Sequence, residues 1–328
     1  MRTAFTQLVG IDVPIVQAPI GGLAHPPLAA AVSNAGALGM LAITWLEPAE
    51  VKSTITQTMA LTDRPFGVNM ILEWPQEERV RIALDAGVRF FSFFWGDPAP
   101  HLAAIHDAGA IAALTVGSAG HARRAVDAGI DVIVAQGWEA GGHVIGEVAT
   151  MALVPAVVDA VSPVPVVAAG GLADGRGLAA AMALGASAGW FGTRFVMSAE
   201  APAHPRYREL LVEAAETGTL HSSLFDVGWP NAPHRTLRNA TTDAWEAVGR
   251  PSPGSRPGEG DVVAKDGGDE IVRYSSSSPR EGVVGDVDTL SLWAGQSVGL
   301  VRDVRPAGEL VRSISEEADS ILRGLSSS

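Results

Sequence analysis

From residue 13 to about residue 218, short β-branched or aromatic runs alternate with alanine-rich stretches of helical character. This is the pattern of repeated βα units around a parallel sheet. Candidate strands cover residues 13–19, 38–43, 66–71, 88–95, 111–116, 131–136, 164–169 and 188–195. The intervening helices share one stop signal, a small or apolar residue and then a glycine, at Gly36, Gly87, Gly109, Gly129 and Gly185. Glycine is favoured there because the chain leaves a helix through the left-handed region, where a Cβ is penalised. Eight such units predict an α/β protein with a closed (β/α)8 or TIM barrel, whose functional groups belong on the loops after the strands.

The rhythm fails after a helix near residues 206–216. Residues 250–260 and 266–279 are rich in Pro, Gly and Ser with scattered charge. Helical character returns at 290–299 and at 306–322, where Leu310, Val311, Ile314 and Ile321 suit one apolar face. The expected organisation is a barrel built from residues 1–219 and 288–328, interrupted by a lid or substrate subdomain at 220–287.

Composition narrows the chemistry. The 328 residues are 47% hydrophobic and carry no cysteine, which removes disulfides, zinc–thiolate sites and thiolate nucleophiles. Residues 1–19 lack the basic start, apolar run and cleavage site of a signal peptide, and the apolar stretch at 148–169 is broken by Asp159 and three prolines. These features predict a cytoplasmic protein that does not enter a membrane. A net charge of −13 argues against nucleic acid or an anionic membrane as partner. The sequence is compatible with an oligomer and leaves its state open. With only Lys52 and Lys265 as lysines, a phosphate ligand must be held by backbone N–H groups or arginine, which directs attention to glycines at helix N-termini.

Two glycine motifs answer that description. Val166-Val167-Ala168-Ala169-Gly170-Gly171 is an apolar strand entering a Gly-Gly turn, followed by a helix with Asp174 as its expected N-cap. Trp190-Phe191-Gly192-Thr193-Arg194 ends the next strand. The loops after strands seven and eight of such barrels frequently bind phosphate. Taken alone, Gly170 and Gly171 equally suit a tight turn. A third constellation, Gln136-Gly137-Trp138-Glu139-Ala140-Gly141-Gly142-His143, places a histidine on a glycine-rich loop after the sixth strand. Such a histidine can act as a general base, or merely cap a loop carbonyl. The remaining histidines carry less weight: His101, His106 and His121 are expected to be solvated, and His204, His221 and His234 fall in loops or the insertion. No histidine pair has metal-ligand spacing, so no catalytic metal is expected. Asn69 closes an apolar strand with an amide suited to the edge of a polar ring system, or to tying down a loop. His25 and Trp95 face the same mouth as lesser substrate-pocket candidates, His25 also reading as a helix start and Trp95 as a core or turn residue.

These motifs, together with Val16-Gln17-Ala18-Pro19, Ala31-Val32-Ser33-Asn34-Ala35-Gly36, Phe66-Gly67-Val68-Asn69 and Trp293-Ala294-Gly295-Gln296-Ser297-Val298-Gly299-Leu300, resemble the nitronate monooxygenase family across nearly the whole chain. The resemblance implies an FMN-containing barrel that oxidises alkyl nitronates or nitroalkanes with oxygen to a carbonyl compound and nitrite. It implies His143 as the catalytic base, and FMN contacts from Asn69, Gln136, Gly141, Gly171, Trp190, Phe191, Gly192 and Thr193. Ala18, Pro19, Gly142 and Gly170 complete the candidate cofactor set, and Gln296 and Ser297 join the candidate substrate pocket. Two rivals share these features: an FMN-dependent enoyl-acyl-carrier-protein reductase fed by NAD(P)H, and a non-catalytic flavin-binding protein.

Overall fold

The computed structural model describes residues 1–326. Eight parallel strands form one sheet: Ile15–Gln17, Gly39–Ala42, Phe66–Ile71, Phe90–Phe94, Ile111–Val116, Val132–Gln136, Val166–Ala169 and Ala188–Phe191. Each pairs with the next, and the first pairs with the eighth through Ile15–Gly189, Val16–Trp190 and Gln17–Phe191. The seam between first and second strands is narrower. It is made by the Val16–Leu38 bridge and by hydrogen bonds from Gln17 N to Leu38 O and from Leu38 N to Ile15 O, both 3.0 Å. The sheet therefore closes into the expected (β/α)8 barrel. All five glycines of the helix stop signal have positive φ, from 66° at Gly109 to 105° at Gly129.

The two-residue period of the strands sorts the core. Val16, Met40, Phe90, Val132, Val134, Val167 and Trp190 fill the barrel interior, where Phe5, from the N-terminal helix Ala4–Val9, meets Phe90 edge to face at 6.0 Å. Their neighbours Ile15, Leu41, Phe91, Ile133, Val166 and Phe191 point outward and pack beneath the helical ring. The helix Ala307–Ser326 completes that ring beside Gly175–Ala183 and Pro26–Asn34.

Between the eighth strand and this last helix, the chain builds two small antiparallel sheets over the barrel mouth. One pairs Thr219–Ser222 with His234–Leu237; the other joins Val262–Asp266, Asp269–Val272 and Val283–Gly285. Three local expectations are corrected. The eighth strand stops at Phe191 and the chain turns into a short helix at Thr193–Val196, where residue 195 was expected to be strand. Residues 290–299 are largely extended, with Trp293 bridging Thr236 and a 3-10 turn only from Gln296, because Gly295 is needed against the backbone of Glu139 and Gly141. His101 is buried and stacked on Phe93 at 5.6 Å, not solvated.

Gly39 shows how tightly the ring sits on the sheet, since a Cβ there would stand 2.0 Å from the carbonyl oxygen of Ala29. Gly39→Ala is expected to cost about 3 kcal/mol or more. Gly120→Ala, in helix Ala119–Asp127 and within 4 Å only of the flexible Arg124 guanidinium, should be neutral or gain up to about 1 kcal/mol. Urea denaturation of the two variants checks the contrast.

Candidate active site

Strand parity also builds the site. Continuing the inward positions to the C-terminal strand ends reaches Ala18, Ala42, Asn69, Phe94, Thr115, Gln136, Ala169 and Trp190, and all eight line one cavity of about 550 Å³. This is within the range of small-molecule sites. Of the residues singled out from the sequence, the cavity also gathers Pro19, Gly141, Gly142, His143, Gly170, Gly171, Gly192, Thr193 and Ser297. Four lie outside its wall. Phe191 is one residue out of phase, and its ring packs against Phe195 in the outer core. His25 is the N-cap of helix Pro26–Asn34, without a side-chain capping bond. Gln296 begins the 3-10 turn, and Trp95 stands behind the wall against His143 and Trp229.

One end of the cavity is made of glycine. Gly170 and Gly171 have φ of 96° and 78°, which explains the residue type. The open sides differ: a Cβ on Gly170 would meet the backbone of Gly137 at 2.9 Å, whereas on Gly171 the nearest atom is 3.9 Å away and on Gly192 3.8 Å. The helix after this turn, Gly175–Ala183, has Asp174 as its N-cap, as expected from the sequence. Asp174 accepts from Arg176 N and Gly177 N, and the Glu317 carboxylate accepts from Gly175 N at 2.7 Å. Protein carboxylates thus occupy the first helical donors, and an anion here must be held by the Gly-Gly turn itself. That turn is tied to the histidine loop, because Thr150 Oγ1 donates to Gly170 O at 2.9 Å and its backbone N–H donates to Glu139.

The histidine loop is not free. Gly142–His143 forms a two-residue strand on His234–Leu237, pairing His143 with His234. Gln136 spends both ends of its amide on it: Nε2 donates to His143 O at 2.9 Å and Oε1 accepts from Ile145 N at 3.1 Å. Gly141 packs so closely on Gly295 that a Cβ would lie 2.4 Å from its nitrogen. Asn69, with its amide turned so that both ends are satisfied, donates to Ser92 O and Oγ at 3.2 Å.

His143 thereby stands among rings, with centroids at 3.9 Å from Trp229, 5.2 Å from Trp293 and 5.5 Å from His234. Its Nε2 is buried and has no hydrogen-bond partner. Burial, and secondarily the neighbouring His234, push its pKa from 6.5 down to about 3, so the imidazole is neutral near pH 7. His234 itself is fully satisfied, with Nδ1–H donating to Ala232 O at 2.9 Å and Nε2 accepting from Phe225 N at 3.1 Å. It too is driven down, to about 4, chiefly by burial. Sequence reading set His234 aside because nothing in its local pattern marks it; only strand pairing brings it to His143. Trp229 and Trp293 were missed as neighbours of His143 for the same reason.

With this geometry in hand, likeness to known proteins becomes informative. The sequence profile of the nitronate monooxygenase family matches residues 2–78 and 73–317. The chain belongs to the nitronate monooxygenase family. A nitronate monooxygenase of Pseudomonas aeruginosa is 34% identical over 382 aligned positions, covering 97% of this chain and 99% of that protein. The (3aS,4S,5R,7aS)-5-hydroxy-7a-methyl-1-oxo-octahydro-1H-indene-4-carboxyl-CoA dehydrogenase of Mycobacterium tuberculosis is 38% identical over 253 positions, 76% of this chain and 70% of that protein. Among solved structures, FabK from Thermotoga maritima superposes with a TM-score of 0.85 at 32% identity, covering 100% of this chain and 99% of the other. A nitroalkane oxidase from Streptomyces ansochromogenes superposes with a TM-score of 0.81 at 28% identity, covering 98% and 100%. Membership in the nitronate monooxygenase family makes the chain a flavin-dependent oxidoreductase. Among the described residues, no helix is long and apolar enough to cross a membrane, and no group of three or more His, Asp or Glu is placed to hold a metal ion.

Burial lowers the pKa of six histidines, His25, His101, His121, His143, His221 and His234, and the two lowered furthest, His143 and His234, have a consequence for stability. The unfolded chain binds protons on them below pH 6.5 while the folded chain refuses them until about pH 4 and 3. Stability is therefore complete above pH 6.5 and falls as the pH drops below it. Between pH 7 and 5.5 each histidine should cost roughly 1 kcal/mol. Urea melts at the two pH values measure the loss, and in His234→Gln the part due to that histidine should disappear.

Proposed function

We propose that this chain binds FMN across the glycine-lined end of the cavity and oxidises alkyl nitronates, or nitroalkanes from whose acidic carbon His143 first accepts the proton, with oxygen to a carbonyl compound and nitrite. The observation that carries the reading is His143 itself: a neutral imidazole, held at both flanks of its backbone, with a buried nitrogen that no protein group satisfies. A general base must be unprotonated and within reach of the proton it takes. The fit to FMN rests on the open glycine cradle at Gly171 and Gly192 and on a shortage of cations, which leaves backbone N–H groups of Gly170, Gly171, Gly192 and Thr193 to hold the phosphate. Ala18, Pro19, Asn69, Gln136, Gly141, Gly142 and Trp190 would border the ring system. When bound, FMN supplies the two-electron acceptor. The protein's part is to orient the substrate, keep water away from His143 and take the proton. Residues 220–287 act in this reading as the lid, lending His234 and Trp229 to the enclosure.

A second reading has specific support in the likeness to FabK and to the carboxyl-CoA dehydrogenase. In it the same cavity serves an enoyl thioester reductase that draws reducing equivalents from NAD(P)H. Anaerobic stopped-flow mixing of the purified protein with propyl-1-nitronate and, separately, with NADH separates the two. The proposed function predicts that visible flavin absorbance bleaches with the nitronate alone; bleaching with NADH alone would move the chain to the reductase reading. In His143→Asn, flavin content should be retained while nitroalkane turnover falls about 100-fold or more. Unchanged turnover would remove His143 from the proton step.

A further inference from the structure

The adjacent residues His234 and Arg235 grip the histidine loop from the two faces of one strand. Neighbours in a strand point to opposite sides. His234 accordingly faces His143, its ring 5.5 Å away, while Arg235 faces the start of the same loop at Trp138. Nη2 of Arg235 donates to Trp138 O at 2.9 Å, Nη1 donates to Thr219 Oγ1 at 3.3 Å, and the guanidinium carbon lies 4.2 Å from the centre of the Trp138 ring. His221, opposite Arg235 in the neighbouring strand, brings its own ring to 5.3 Å from that indole. The main chain of Arg235 pairs with Gly142, the residue before His143. One residue therefore fastens the loop twice, at Trp138 with its side chain and at Gly142 with its backbone.

Packing alone does not account for an arginine in this place. Three arginines are buried among the described residues: Arg194 pairs with Asp303 at 2.8 Å, Arg256 pairs with Asp226 at 2.7 Å and with Glu259, and Arg235, 2% exposed, has no carboxylate partner. Its Nε has no hydrogen-bond partner either. Burial pushes the Arg235 pKa down, and the Glu139 carboxylate opposes this only from beyond pairing distance. The strand pairing needs no guanidinium, and an apolar side chain of similar volume in place of a buried charge is often neutral or stabilising. What the guanidinium adds is direction, since its rigid plane stacks on an indole and presents two donors at fixed angles.

We propose that Arg235 is a positioning residue for the proton step, setting the path of the loop from Trp138 to His143 so that the imidazole meets the acidic carbon of a nitroalkane. This role deepens the proposed function and rests on His143 as its base. In that step the C–H bond breaks, its electron pair moves onto the nitro group to give the nitronate, and the proton goes to the imidazole. A nitronate arrives with that proton already gone, so the placement of the base weighs on the nitroalkane far more than on its nitronate. Displacing a reacting group by about 1 Å can cost on the order of 100-fold in rate.

The test measures kcat/KM for 1-nitropropane and for propyl-1-nitronate in the wild-type enzyme, Arg235→Met and Arg235→Lys, and follows the His143 ring nitrogens by nitrogen-15 NMR as the pH is lowered. Arg235→Met removes the charge and keeps much of the volume, and in it the ratio of nitroalkane to nitronate kcat/KM should fall about tenfold or more. Arg235→Lys keeps the charge and loses the planar fork; it should lower the ratio too, and it carries the test if Arg235→Met does not fold. In both variants the released loop should admit water to His143, raising its titration from about 3 toward the ordinary 6.5. A purely structural role for Arg235 would lower the melting temperature and leave both the ratio and the His143 titration where they stand, and that result would overturn the proposal. If the wild-type enzyme does not oxidise 1-nitropropane, the proposed proton step fails, while the His143 titration in the variants still decides whether Arg235 positions the loop.

Discussion

The site depends on a short strand pairing that looks minor in the fold. Gly142 and His143 hang on Arg235 and His234 by backbone hydrogen bonds, and Gln136 clasps the same loop from the barrel side. The rest of the loop is tied elsewhere, through Glu139 to Thr150 and Gln296, but the pairing fixes the backbone of Gly142 and His143, and Gly142 imposes little of its own. With it in place, the imidazole is enclosed by Trp229, Trp293 and His234. Enclosure then dictates protonation: a charged imidazolium would lose its hydration without gaining a carboxylate, so the neutral form is held well below the ordinary pKa.

A second constraint supplies the rest of the cavity. Each barrel strand points alternate residues inward, and the last inward position of each strand falls on the mouth. The wall is therefore drawn from all eight strands, while His143 and the glycines Gly170, Gly171 and Gly192 that line it lie on the loops after the sixth, seventh and eighth. Thr150 and Glu139 join two of these loops, so the Gly170–Gly171 turn and the His143 loop form one connected unit. This connection gives a physical reason for glycine, threonine and glutamate to stand where they do, apart from any contact they make with a ligand.

Much of this was legible in the sequence because it is local. Strand periodicity, the repeated Ala-Gly or Leu-Gly helix stop and the two glycine motifs each depend on residues close together in the chain, and the barrel and its glycine-lined end follow from them. Parity could have been read further: Trp190 inward implies Phe191 outward, and the candidate set overlooked it. Other features are not local. The carboxylate of Glu317 that satisfies the helix start at Gly175 comes from the C-terminal helix, and Trp229 and His234 come from the segment over the mouth. Nothing in the pattern around them announces a partner so far along the chain. Likewise, Gln136 reads as a polar strand end until the loop it fastens is seen.

The central claim is that enclosure keeps His143 neutral and available as a proton acceptor. It is tested most directly by nitrogen-15 NMR of histidine-labelled protein, with His143→Asn used to assign the signal. The account predicts that the His143 ring nitrogens keep the shifts of a neutral imidazole from pH 8 down to about pH 4.5. A ring that titrates near its ordinary value of 6.5, charging as the pH falls through that point, would contradict it.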